Sequence, residues 1–147
     1  MNNALANYQK NQVAGMSQKD MIVLLYSGAI KFLDQANEEL DKDNTEGFAD
    51  KVERVHRIVY HLYTTLDFDE GGEIAEKLGA LYSFVIGQLY MLNSTRNPGI
   101  INDLREILSN LKEGWQSLGN LGPEQENESK RTESNVGTEK VVSVQVR

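Results

Sequence analysis

Apolar residues recur along much of this chain in alternating steps of four and three. Phe48, Val52, Val55, Val59, Leu62 and Leu66 form the cleanest such line, and a repeat near 3.5 residues is the seam of a helix packed in a bundle. Ala75, Leu78, Tyr82, Val85, Leu89 and Leu92 repeat it, as do Ile101, Leu104, Leu108, Leu111, Trp115 and Leu118. A first helix carries two neighbouring lines, Leu25, Ala29, Phe32, Ala36 and Leu40 beside Ile22, Tyr26, Ile30 and Leu33. Ser17 with Asp20 three residues on has the form of a capping box, so this helix should start there and run to about Leu40. "DKDNTEG" interrupts the pattern with turn formers, and Asn97-Pro98 supplies an N-cap followed by proline at the first helical position.

Four amphipathic helices on short connections hide their stripes most simply as an all-α, antiparallel four-helix bundle, here expected over residues 17–121. Residues 1–16 are too sparse in apolar groups for a core helix. Residues 122–147 include "GPEQENESKRTESNVGTEK", whose polar composition cannot offset the entropy of ordering, so a disordered tail is expected. Its end, "VVSVQVR", alternates like a strand but has no strand to pair with.

Charge and composition narrow the function classes. With 22 acidic and 15 basic residues the 147-residue chain carries a net charge of -7, a poor match for nucleic acid or an anionic membrane. It has no cysteine, which removes disulfides, thiolate zinc sites and cysteine nucleophiles. The start lacks a basic and an apolar region in series, and the run from Met21 to Tyr26 is too short for membrane insertion. A soluble cytoplasmic protein is the expectation.

Three motifs invite chemistry and none sustains it. Gly71-Gly72 lies between two helical seams, without the strand, further glycines or Gly-Lys-Ser/Thr of a phosphate loop. The pair, with Asp67 before it and Glu73 after it, reads as a tight corner between helices 2 and 3. Glu53-x-x-His56 is half of a di-iron carboxylate site, but the only other histidine, His61, has Ile58 three residues before it. The two histidines also lie about 140° apart around their helix. The loop from Lys42 places Gly47 and Glu53 where a calcium loop needs them, but a lysine stands at its first position. No metal, cofactor or catalytic set is expected.

The helices carry more apolar surface than one bundle requires. Leu81, Phe84, Gln88 and Met91 fall about 100° to 180° away from the Tyr82 seam, helix 1 is apolar almost all round from Met21 to Tyr26, and helix 2 adds Tyr60 and Tyr63. Such surplus suggests grooves for an amphipathic helical peptide, with tyrosines giving apolar bodies and wet tips. The N-terminal segment, with Leu5, Tyr8 and Val13, could lie over a groove as a displaceable cap. An adaptor for some other helical peptide and a metal-dependent bundle enzyme are the rival readings, the second already weakened by the missing Glu-x-x-His.

Taken together, "YQKNQV" near the start, "LLYSGAIKFLDQA", "LDFDEGGEIAEKLGALYSFV" and "LKEGWQSL" resemble the flagellar secretion chaperone family FliS from about Tyr8 to Leu118. Gln18, Ser27 and Gly114 depart from residues usual in that family, where proline, an acid and alanine are common. The resemblance implies a bacterial cytoplasmic chaperone, with no enzymatic activity, that binds the C-terminal region of flagellin, prevents early polymerisation and aids delivery to the export apparatus. Components of the export gate are further implied partners. On this reading Tyr26, Ile30, Tyr63, Leu81, Tyr82 and Phe84 line the flagellin groove, and Tyr8, Gln12 and Val13 form the exchangeable cap.

Overall fold

The computed structural model describes residues 15–119 as four helices. They are α1 (Gln18–Asp41), α2 (Thr45–Thr64), α3 (Phe68–Thr95) and α4 (Pro98–Gly119). The N-terminal cap residues Tyr8, Gln12 and Val13 and the C-terminal tail lie outside the described residues. Helix α1 packs extensively on α2 and α4, α2 packs on α3, and the α3–α4 seam is the least intimate of the four. That cyclic order, with connections of two or three residues between the helices, is an up-and-down bundle.

Each helix begins where the local chemistry directs. The Ser17 hydroxyl accepts from the Asp20 N–H at 3.1 Å, the Asn44 side chain from Gly47 N–H at 3.0 Å, and Asp67 from Glu70 N–H at 3.0 Å. Asn97 accepts from Gly99 N–H at 2.9 Å, one residue past Pro98. Each satisfies a donor that the first helical turn leaves open. Asp43 and Arg96 take the positive-φ positions at two of the corners, with φ of 56° and 54°.

The corner at the glycine pair is built in two steps. The chain turns at Thr65 to Asp67 and makes one helical turn from Phe68, with Gly71 N–H donating to Asp67 C=O at 2.7 Å. It then breaks at Gly72, whose φ of 55° and ψ of −129° are non-helical, before α3 runs on to Thr95. The glycines thus make a kink just inside α3, and the corner lies ahead of them. Asp67 caps the short turn, while Glu73 starts the long run of α3 and pairs with Lys77 at 3.1 Å. The break lets Phe68 fold back, so that its ring would lie 3.1 Å from a Cβ at Gly79, and it meets Tyr63 edge-on at 6.5 Å between centroids.

The core follows the seams closely. Phe48, Val52, Val55, Val59 and Leu62 of α2 are buried, as are Ala75, Tyr82, Val85, Leu89 and Leu92 of α3 and Ile101, Leu104, Leu108 and Trp115 of α4. Helix α1 draws on both of its candidate lines, burying Ile22, Tyr26, Ala29, Leu33 and Ala36. These again step by four and three, and Phe32 is left half-buried on the flank. Its ring is roofed from α2 by Lys51 at 5.8 Å and Arg54 at 5.6 Å, an arrangement that covers apolar surface with cations.

Candidate functional site

The polar heart of the bundle joins three helices. Trp115 Nε1 of α4 donates to the Tyr26 hydroxyl of α1 at 3.2 Å, and that hydroxyl is hydrogen-bonded to Tyr82 of α3 at 2.5 Å. Tyr26 is 0 % exposed and Tyr82 2 %. Burial raises the Tyr26 phenol to about 12, against a smaller lowering by its two hydrogen bonds, and pushes Tyr82 well above the ordinary phenol range, with Tyr26 adding to the rise. Both are therefore neutral hydrogen-bonding groups at physiological pH. The chain of bonds ties α3 to α4 through α1 at the seam where the two helices touch least.

Two contacts fix which way α3 and α4 face. Tyr90 of α3 meets His56 of α2 at 5.6 Å between ring centroids, and His56 stacks on Tyr60 at 6.0 Å. Arg105 of α4 pairs with Asp34 of α1 at 2.8 Å. Leu81 lies nine residues before Tyr90, hence about 180° round α3 and toward α4. Ile107 and Leu111 lie between about 200° and 240° round α4 from Arg105, hence toward α3. Leu81, Ile107 and Leu111 are all half-buried. Beside them on the outer face of α3, Phe84 is 52 % exposed and Met91 51 %. Half-buried and exposed apolar side chains therefore border the loosest seam of the bundle.

The residues expected to line a groove consequently separate into two sets. Tyr26 and Tyr82 sit in the core of this conformation, because their hydroxyls satisfy each other there, and present no surface to a peptide. Leu81 is half-buried and Phe84 exposed on α3, beside its seam with α4. Ile30 of α1 is half-buried against the core, and Tyr63 of α2 is half-buried against Phe68 near the kink, away from Leu81. Tyr60 and Tyr63 therefore belong to different local clusters.

Ile107 and Leu111 were not separable by pattern as residues of the α3 flank, since nothing in α4 alone distinguishes that flank from its α1 flank. Pattern reading also overlooked Tyr90, which is 65 % exposed. A signal for the α3 face was present: from Leu78 to Thr95 there is no charged residue. Among the described residues no group of three or more His, Asp or Glu could hold a metal ion, and no helix is long and apolar enough to cross a membrane. His56 is half-buried on the flank of α2, between Tyr60 and Tyr90.

Comparison with known proteins places most of the chain in one family of sequences. The family described as "Flagellar protein FliS" matches residues 1–121. The flagellar secretion chaperone FliS of Campylobacter jejuni is 32 % identical over 113 residues, covering 77 % of this chain and 88 % of that protein. Its counterpart in Vibrio cholerae is 27 % identical over 122 residues, covering 80 % and 90 %. That of Bacillus subtilis is 22 % identical over 114 residues, covering 78 % and 84 %.

Proposed function

Because this chain belongs to the FliS family of flagellar proteins, we propose that it is a cytoplasmic export chaperone holding the C-terminal segment of flagellin on the α3–α4 furrow. The carrying observation is the exposed pair Phe84 and Met91 beside the half-buried Leu81, Ile107 and Leu111 at the sparsest seam. An unfolded segment with amphipathic stretches lays apolar groups into such a furrow and is ordered by it. Coupled folding of this kind buries about 1,000–3,000 Å² and spends roughly 2–5 kcal/mol or more on ordering. Each well-buried leucine or aromatic contributes about 1.5–3 kcal/mol, so a few anchors suffice and release remains accessible. Occupied this way, the segment cannot polymerise before delivery to the export apparatus. Tyr26, Tyr82 and Trp115 hold the furrow's two walls, while Ile30 and Tyr63, which lie on other seams, are reached only by parts of the segment that extend beyond it.

Titration calorimetry of the full chain with a peptide from the C-terminal region of flagellin tests this. The expected result is one-to-one binding with a strongly negative heat-capacity change. Leu81→Ala and Phe84→Ala weaken binding by about tenfold or more each, a loss of roughly 1.4 kcal/mol or above, with little change in melting temperature. Tyr63→Ala has a smaller effect of the same kind. Absence of binding, or losses of stability as large as the losses of affinity, would overturn the reading.

A further inference from the structure

The family match ends at residue 121, and the chain continues beyond it with residues 122–147. Most of that stretch is polar, but residues 140–147 read "KVVSVQVR", an apolar run between two basic residues that neither the bundle nor the proposed function uses. In extended form, alternate side chains share one side, so Val142, Val144 and Val146 would make an apolar edge about 13 Å long. Ser143, Gln145 and Arg147 would take the opposite side.

The α3–α4 seam matches that edge in length and in charge. From Leu81 to Met91 the half-buried and exposed apolar groups of α3 run about 15 Å along the helix axis, with Ile107 and Leu111 turned toward them from α4. On the outer face of α4, Asp103, Glu106 and Glu113 lie between about 80° and 160° round the helix from Arg105, and all three are exposed. None of the three is in an ion pair among the described residues. Arg105 is engaged by Asp34 of α1, and α3 has no charged residue from Leu78 to Thr95. The seam is therefore apolar with one acidic rim, and a segment with valines in the middle and a cation at either end complements both features.

We infer that residues 140–147 dock on the α3–α4 seam of their own chain, with Val142, Val144 and Val146 against Leu81, Phe84 and Met91, as a tethered occupant that cargo must displace. Running back along α4, the segment sets Lys140 near Glu113 and Arg147 near Glu106 and Asp103. Only about 9 Å of α4 separates Gly119 from Glu113, and residues 120–139 reach roughly several times that distance. Because Phe84 and Met91 face solvent, the segment's backbone groups stay in water and need no partner strand. Three valines are a modest anchor, but tethering gives the segment an effective concentration on the order of a millimolar. The face is thus covered for part of the time, and the apparent affinity for cargo falls in proportion to the fraction left free. The docking does not depend on what the cargo is; its displacement rests on the reading of this seam as the flagellin site.

Paramagnetic broadening in the full chain tests it. The chain has no cysteine, so Gln145→Cys, on the side of the segment away from the valines, takes a nitroxide at one position. The strongest loss of amide signal is expected at Leu81, Phe84, Ile107 and Leu111, with Phe48 and Val55 least affected. The effect disappears when Val142→Ser, Val144→Ser and Val146→Ser are combined, and weakens with Lys140→Glu and Arg147→Glu; all five changes lie outside the four helices. In a mixture of isotopically labelled chain without the nitroxide and unlabelled chain carrying it, the same signals stay sharp, because the docking is within one chain. Broadening with no focus on the seam, broadening that survives the valine changes, or transfer between chains would each overturn the inference. In peptide titration the triple valine variant binds a C-terminal flagellin peptide about threefold tighter than wild type or more, and equal affinity would overturn the displacement. Focused broadening with no peptide binding by wild type or variant removes the cargo reading alone, and peptide binding without focused broadening removes the docked segment alone.

Discussion

The α1–α2 side and the α3–α4 side of this bundle are built from the same seam repeat and differ in how their flanks are finished. On the first, Phe32 is roofed by Lys51 and Arg54, and Arg54 and Arg57 pair with Asp50 and Glu53 at 3.0 Å on the helix surface. On the second, α3 shows Phe84, Tyr90 and Met91 to solvent with no charged residue among them, and its contact with α4 is sparse. A helix whose flank is covered by its own neighbours has no further use for apolar groups there. One that keeps them outside retains surface for something added later. The lesson is that a seam identifies the core, whereas the charge on the opposite face indicates which helices are finished.

The largest test of that contrast sets a core truncation against a surface one. Leu104→Ala, at a fully buried position, is expected to cost about 2–5 kcal/mol in urea unfolding. Phe84→Ala is expected to cost under about 1 kcal/mol, because half of that ring is already in water. Comparable losses would mean that the α3 face is core and the contrast false.

Next comes the link between the two sides. Tyr26→Phe strands the Trp115 N–H and the Tyr82 hydroxyl in the core, at about 1–3 kcal/mol. The same pair gives a pH signature. Folding raises the phenol of Tyr26 to about 12 and pushes that of Tyr82 well above its ordinary range, in both cases chiefly by burial, whereas phenols in the unfolded chain ionise near 10. Their contribution is thus fully present below about pH 10 and is lost as pH climbs toward and through 12, since the unfolded state releases its protons first. Unfolding midpoints measured against pH should fall over that window, and less steeply in Tyr26→Phe. Phenolate absorbance should show two of the six tyrosines titrating late.

Two glycine substitutions sharpen the description of the two helices of this seam. Gly72→Ala should destabilise by about 1–2 kcal/mol through backbone strain alone, as φ is 55° and a Cβ there would meet nothing within 4 Å. Gly114→Ala on α4, where a Cβ also meets nothing, should stabilise by up to about 1 kcal/mol. Thermal unfolding measures both, and a loss at Gly114 would place a close neighbour on that face.

How far the sequence could be read follows from what each signal physically reports. The α2 seam was legible from Phe48 to Leu62, because its period and its burial have one cause, the packing of a single stripe; Leu66, expected on the same line, falls in the connection after α2 and is half-buried. Helix α1 was legible only as a helix: with two apolar lines side by side, periodicity could not select Ile22, Tyr26 and Leu33 from one and Ala29 and Ala36 from the other, a choice made by the neighbours. Asp67 as a cap was legible from local chemistry. The kink at Gly72, one turn inside α3, was not, since a glycine pair marks where unusual angles are permitted without saying which residue adopts them. For the candidate site, Leu81 and Phe84 were visible by helical angle. Tyr26 and Tyr82 were misplaced because a tyrosine suits a wet groove edge and a buried hydroxyl pair equally well, and only the three-dimensional partner, Trp115, separates the two.

The site at which a bound segment lands distinguishes the α3–α4 seam from every other surface of the bundle. Backbone amide and methyl signals of the isotopically labelled full chain, recorded with and without an unlabelled peptide from the C-terminal region of flagellin, report it residue by residue. The largest changes are expected at Leu81, Phe84, Met91, Ile107 and Leu111, with Leu33, Phe48 and Val55 little affected. Changes concentrated on the charged outer faces of α1 and α2, with the α3 strip undisturbed, would contradict it.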